Sequence, residues 1–82
     1  MLSRKEIKET LRAYADDDMN IAQASAKSFI PRETFSWRLR RIHELTGKNP
    51  RKFWELLELL AEYEEAEVVR DGILSILSRL RG

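Results

Sequence analysis

Eighty-two residues are enough for one small domain and no more. With 43% hydrophobic and 35% charged residues the chain can bury a core, which argues against disorder. The absence of cysteine excludes disulfides and thiolate metal centres, the single histidine leaves little for a zinc site, and the net charge of +1 by itself points to no partner. No apolar run approaches the roughly 20 residues that span a bilayer. The N-terminus carries no long apolar signal core, so a cytoplasmic location is the expectation.

Ser3 followed by Glu6 is a capping-box pattern that starts a first helix. Ile7, Leu11 and Tyr14 then recur at helical spacing. Asp16, Asp17 and Asp18 are expected to end this helix, because acids at a helix C-terminus oppose the macrodipole. They read as a turn rather than a cation site, since nothing supplies further ligands at the right spacing. Asn20 is a good N-cap for a second, short helix from Ile21 to Ser28. Its small residues, Ala22, Ala24, Ser25 and Ala26, permit close helix approach. Phe29, Ile30 and Pro31 form a turn, with Pro31 biasing Ile30 away from helical geometry.

The third helix, expected over about 32–46, carries most of the functional information. Phe35, Leu39, Ile42 and Thr46 lie on one stripe, with Leu45 beside them. Glu33, Ser36, Trp37, Arg40 and Glu44 fall on the opposite side, and Arg38 and Arg41 lie on the flanks. Pro31 presets the start and Gly47 serves as the stop. A short apolar helix, a turn of about three residues and a longer basic helix follow the helix-turn-helix order. Charge is distributed to match. Residues 32–52 carry seven basic side chains against Glu33 and Glu44, whereas residues 53–71 carry Arg70 against seven acids. Such asymmetry, more than the total, is the footprint of a nucleic-acid binder.

Asn49-Pro50 reads as the start of a fourth helix. Phe53, Leu56, Leu57, Leu60 and Tyr63 supply its apolar face, Trp54 and Leu59 broaden it, and Trp54 reads as structural. Glu55, Glu58 and Glu62 make an acidic opposite face that belongs behind the domain, away from DNA. From Glu65 the register changes, and Val69, Ile73, Ile76, Leu77 and Leu80 form a further stripe. The expected architecture is all-α: a small helix-turn-helix bundle of four to five helices. Residues 1–64 make the DNA-binding domain, and residues 65–82 an extra C-terminal helix for dimerisation.

Between about Leu11 and Leu60 the chain resembles the C-terminal helix-turn-helix domain of PucR-type (purine-catabolism-regulator) bacterial transcription regulators. The residues that carry the resemblance are Asn20-Ile21, Ile30, Arg32, Thr34, Arg38-Leu39, Arg41-Ile42 and Glu44-Leu45-Thr46-Gly47. The same unit is similar to that of Fis-type nucleoid proteins. The chain departs from the family pattern at Pro31, where histidine is usual, at Phe35 for leucine and at Trp37 for tyrosine. Ser25 and Ser28 stand where alanine and leucine would pack, with Phe29 expected to make up the missing core. PucR-type regulators carry a sensor region upstream; it is not represented here, so no small-molecule effector is expected.

The resemblance and the helix wheel together imply sequence-specific binding of double-stranded DNA by a bacterial transcription regulator, and the short half-site one such unit reads, with the C-terminal stripe, points to a homodimer. Arg32, Glu33, Ser36, Trp37 and Arg40 are the candidate base contacts, arginine suiting guanine and glutamate suiting cytosine. Thr34, Arg38, Arg41 and Lys48 are the candidate phosphate contacts, and Asn20 and Ile21 would set the preceding helix against the backbone. Dimerisation is assigned to Val69, Ile73, Ile76, Leu77 and Leu80, with folding of this stripe back onto its own chain as the alternative. With a lone histidine and no glycine-rich phosphate loop, neither catalysis, a metal nor a cofactor is expected, nor any membrane association. The competing reading is a helical protein–protein interaction module that binds no DNA.

Overall fold

The computed structural model describes residues 2–63. The described chain runs α1 (Arg4–Asp16), α2 (Ile21–Lys27), α3 (Arg32–Thr46) and α4 (Phe53–Tyr63), with no strand among these residues. The candidate dimerisation residues Val69, Ile73, Ile76, Leu77 and Leu80 lie outside the described residues.

Helix α1 is the hub of the fold. It packs against α2, α3 and α4, whereas α4 packs against α1 alone among the described helices. It begins in the capping box expected from Ser3 and Glu6: the Ser3 hydroxyl accepts the Glu6 N–H, and the Glu6 carboxylate accepts the Ser3 N–H, each at 3.1 Å. Ile7, Leu11 and Tyr14 bury one face. The Tyr14 ring lies 6.2 Å from that of Phe35 on α3. The acidic run ends the helix as expected, and Asp18 and Met19 turn the chain with φ of 53° and 64°. Asp17 is buried and accepts the Lys27 ammonium at 2.7 Å, which ties α2 back to the end of α1. That hydrogen bond raises the Lys27 pKa above its ordinary value.

Asn20 caps α2 by accepting the Gln23 N–H at 3.1 Å, and Ala24 and Ser25 are buried at the close contact. The turn into α3 departs from the sequence expectation. Phe29 does not fill the core; it is 94% exposed, on a left-handed backbone with φ of 56°. The turn itself sets this outcome. The Ile30 N–H reaches back to the Ser25 carbonyl at 3.0 Å, and that closure requires a positive φ at the residue between. Phe29 adopts this geometry at a cost of about 1–2 kcal/mol that glycine would avoid.

Phe35, Leu39 and Ile42 are fully buried on α3, while Leu45 at the end of the stripe is 48% exposed. Gly47 ends α3 at φ 75°, and its N–H closes on the His43 carbonyl at 2.9 Å. Asn49-Pro50 does not start α4. The Asn49 Oδ1 accepts the Arg51 N–H at 3.0 Å in a side-chain turn, Pro50 is fully buried, and the helix begins at Phe53.

Three leucines of α4 are buried as the sequence implies, but its two N-terminal aromatics are not. Leu56, Leu59 and Leu60 are buried, whereas Phe53 is 56% and Trp54 69% exposed. Trp54 is therefore a surface residue, not a core one. A helix with a single partner helix needs only a narrow seam. The apolar breadth of α4 exceeds that seam, and its N-terminal aromatics are left outside.

Candidate nucleic-acid interface

The burial of Phe35, Leu39 and Ile42 against α1 and α2 fixes the rotation of α3 and so decides which side chains leave the domain. Arg32, Glu33, Thr34, Trp37 and Arg40 are at the surface, and Ser36 is half-buried between them. Trp37 retains 42% of its surface, as its place opposite the buried stripe requires. Pro31 opens the helix with φ −55° and ψ 140°, which puts Arg32 and Glu33 in its first turn.

Four of the five candidate base-contact residues line one open cleft of about 580 Å³: Arg32, Glu33, Ser36 and Arg40. Trp37 lies outside it on the same exposed face. The fifth lining residue is Arg51, which the sequence reading did not single out. Arg51 is about five helical turns' worth of chain beyond Arg32, and neither periodicity nor spacing connects them. The connection comes from the turn at Asn49 and the buried Pro50, which bring the connector after α3 back alongside its N-terminal half.

The candidate phosphate-contact residues are held differently from one another. Thr34 is exposed. Arg38 turns inward with 17% of its side chain exposed; it lies 3.3 Å from the Glu6 carboxylate and donates to the Thr10 hydroxyl at 3.5 Å. It thus ties α3 to α1. The Glu6 pKa lies below its ordinary value, chiefly through the Ser3 hydrogen bonds and with a further contribution from Arg38. Arg41 pairs with Glu44 at 3.1 Å. Lys48 lies 3.4 Å from Glu58 and 3.8 Å from Glu62, so the acidic face of α4 engages the connector. Asn20 is committed to capping α2, and Ile21 is half-buried against the core.

A family model described as the PucR C-terminal helix-turn-helix domain matches residues 7–64. The chain belongs to this family. The match covers the four described helices except the first turn of α1, and it stops before the C-terminal stripe. PucR-type helix-turn-helix units of this kind are regulatory domains, in keeping with the helical fold and with an exposed α3 face. No characterised protein and no solved structure matches the chain. No group of three or more histidine, cysteine, aspartate or glutamate side chains suited to a metal ion occurs among the described residues. Likewise, no described helix is long and apolar enough to cross a membrane.

Proposed function

We propose that this PucR-family domain is a sequence-specific, double-stranded-DNA-binding transcriptional regulator of a bacterial cytoplasm, with α3 as its recognition helix in the major groove. The observation that carries this reading is the clustering of Arg32, Glu33, Ser36 and Arg40 in one exposed cleft at the start of α3. An α-helix fits the major groove. Arginine can donate two hydrogen bonds to guanine, and glutamate can accept from the cytosine amine. The N-terminal residues of a recognition helix are the ones that reach base edges. Thr34, Arg41 and Lys48 flank this face and are assigned to phosphates. Arg41 and Lys48 would exchange exposed carboxylate partners for DNA oxygens at little cost, since such surface pairs contribute about 0–1 kcal/mol. Arg38 is assigned to holding α3 against α1, because Glu6 and Thr10 already occupy its guanidinium.

Selection of a binding site from random duplexes, followed by fluorescence anisotropy, tests the reading. Arg40→Ala and Trp37→Ala are each expected to weaken binding to the selected site by about 1–3 kcal/mol, the usual worth of one base-reading side chain, with less effect on random duplex. Both proteins should keep their helical circular dichroism, because neither side chain belongs to the buried stripe. Loss of the fold in Trp37→Ala, with the affinity of Arg40→Ala unchanged, would overturn the assignment of this face.

The functional unit is proposed to be a homodimer, since one helix-turn-helix reads only a short half-site and such domains pair across sites about one helical turn apart. Two features support pairing through the C-terminal side. Phe53 and Trp54 meet edge-on at 5.3 Å and stand exposed on α4. The sequence beyond continues with the stripe Val69, Ile73, Ile76, Leu77 and Leu80. The α4 aromatics are also what a protein-binding module would present, and a second copy is the partner that serves both observations. Sedimentation equilibrium at micromolar concentration is expected to give twice the chain mass, and Ile73→Asp with Leu77→Asp a folded monomer. A monomeric unaltered protein would exclude the dimer.

A further inference from the structure

A helix that reads bases must be held in register by cations on the flanking phosphates. Most cations along the connector and on the flanks of α3 are already engaged. Arg38 pairs with Glu6, Arg41 with Glu44, Lys48 with Glu58 and Lys52 with Glu55. Three guanidiniums, those of Arg32, Arg40 and Arg51, have no carboxylate partner among the described residues, and all three line the same cleft. The three guanidiniums outnumber the one carboxylate of the cleft, that of Glu33, so the cleft carries net positive charge and favours acceptor oxygen.

Arg51 stands apart from the other two because it comes from a different element. Its position is built in successive steps. Gly47 reverses the chain at φ 75°. The Thr46 hydroxyl then accepts the Lys48 N–H at 3.1 Å, and the Asn49 N–H donates to the Glu55 carboxylate at 3.0 Å. Asn49 Oδ1 takes the Arg51 N–H, and the buried Pro50 anchors the turn between them. Arg51 is thereby presented at the edge of the cleft while α3 forms its floor. A side chain on the connector stands off the axis of α3, which suits it to the strand that walls the groove more than to the base edges.

We propose that Arg51 is a DNA phosphate anchor, holding one backbone phosphate at the rim of the cleft formed with Arg32, Ser36 and Arg40. The inference rests on the DNA-binding reading and adds a second element to it. Glu33 in the same cleft argues for a duplex over a free phosphate ion. A small anion would sit against its carboxylate, whereas a duplex offers phosphate to Arg51, guanine to the arginines of α3 and a cytosine amine to Glu33.

The test uses the full chain and a selected duplex. For Arg51→Gln, the slope of log affinity against log salt is expected to become shallower by about 0.9, the value for one phosphate contact. The ranking of base preferences should stay as it is. Arg51→Lys should restore the slope, since it keeps the charge. Lys5→Gln, on exposed α1 surface away from the cleft, should leave the slope unchanged. A duplex with a neutral methylphosphonate at the contacted position should reproduce the shallower slope with the unaltered protein and add nothing to Arg51→Gln. That duplex also decides the matter if Arg51→Gln fails to fold. An unchanged slope in folded Arg51→Gln, beside normal binding by the unaltered protein, overturns the anchor and leaves the DNA reading standing. Altered base preference with the slope intact makes Arg51 a base reader and overturns the phosphate assignment. Competition by inorganic phosphate beyond that of chloride at equal ionic strength overturns the duplex as the occupant. Failure of the unaltered protein to bind any duplex removes both readings together.

Discussion

Leu39→Asp is expected to abolish the fold, with loss of the helical circular dichroism at 25 °C and no cooperative thermal transition. Leu39 is 1% exposed at the centre of α3, between Phe35 and Ile42 on the face that meets α1 and α2. An aspartate there would place a carboxylate among apolar side chains. Ionised, it gives up its hydration; protonated, it still leaves two oxygens without partners, at a cost of several kcal/mol. Removal of the leucine packing adds about 2–5 kcal/mol. A folded domain commands roughly 5–15 kcal/mol in total, and one with so few core residues stands at the low end of that range. Leu39→Ala separates the two contributions, since it removes the packing without adding the charge; it is expected to stay folded with a lowered midpoint. Arg40→Ala, one position along, should melt as the unaltered protein does. Retention of a native melting transition by Leu39→Asp would show that α3 is not held by this face, and the orientation of the cleft would fall with it.

The features of the fold that are legible in the sequence are those set by local rules. The Ser3–Glu6 capping box, the Asp16–Asp18 stop, the Asn20 cap and the Gly47 stop each act over a few residues, and the structure has all of them. The apolar stripe of α3 is legible as well, because Phe35, Leu39 and Ile42 meet helices on two sides and the whole stripe is needed. On α4 the same reasoning places Phe53 and Trp54 inside, against the structure. Periodicity reports how much apolar surface a helix carries, not how many neighbours it has, and among the described helices α4 has one. Phe29 departs for a related reason. Its hydrophobicity argues for the core, but the Ser25–Ile30 hydrogen bond demands a left-handed residue at the surface. Arg51 is invisible in the sequence because its place beside Arg32 depends on the path of an irregular connector, which leaves no repeat.

DNA affinity is expected to fall between about 40-fold and 500-fold as monovalent salt rises from 50 to 200 mM, from a slope of roughly −2.7 to −4.5 per subunit at about 0.9 for each of three to five phosphates neutralised. The lower bound comes from the three cations assigned to phosphates: Arg51 in the cleft, and Arg41 and Lys48, whose partners Glu44 and Glu58 are more than half exposed and can be released to water. The upper bound adds Arg32 and Arg40, which read bases and displace further counter-ions only if they also reach phosphates. Arg38 contributes to neither bound, since only 17% of its side chain is exposed and Glu6 holds it. The slope therefore counts the cations that meet phosphate when DNA arrives. A value near the lower bound would confine phosphate contact to Arg41, Lys48 and Arg51, and a value near the upper bound would extend it to the base-reading arginines of α3. A palindromic duplex engaged by two subunits should show about twice the slope of a half-site, which separates pairing on DNA from tighter binding by one subunit. Salt-independent affinity would mean that the exposed arginines meet no phosphates, and the DNA-binding reading would give way to a protein-binding module acting through the α4 aromatics.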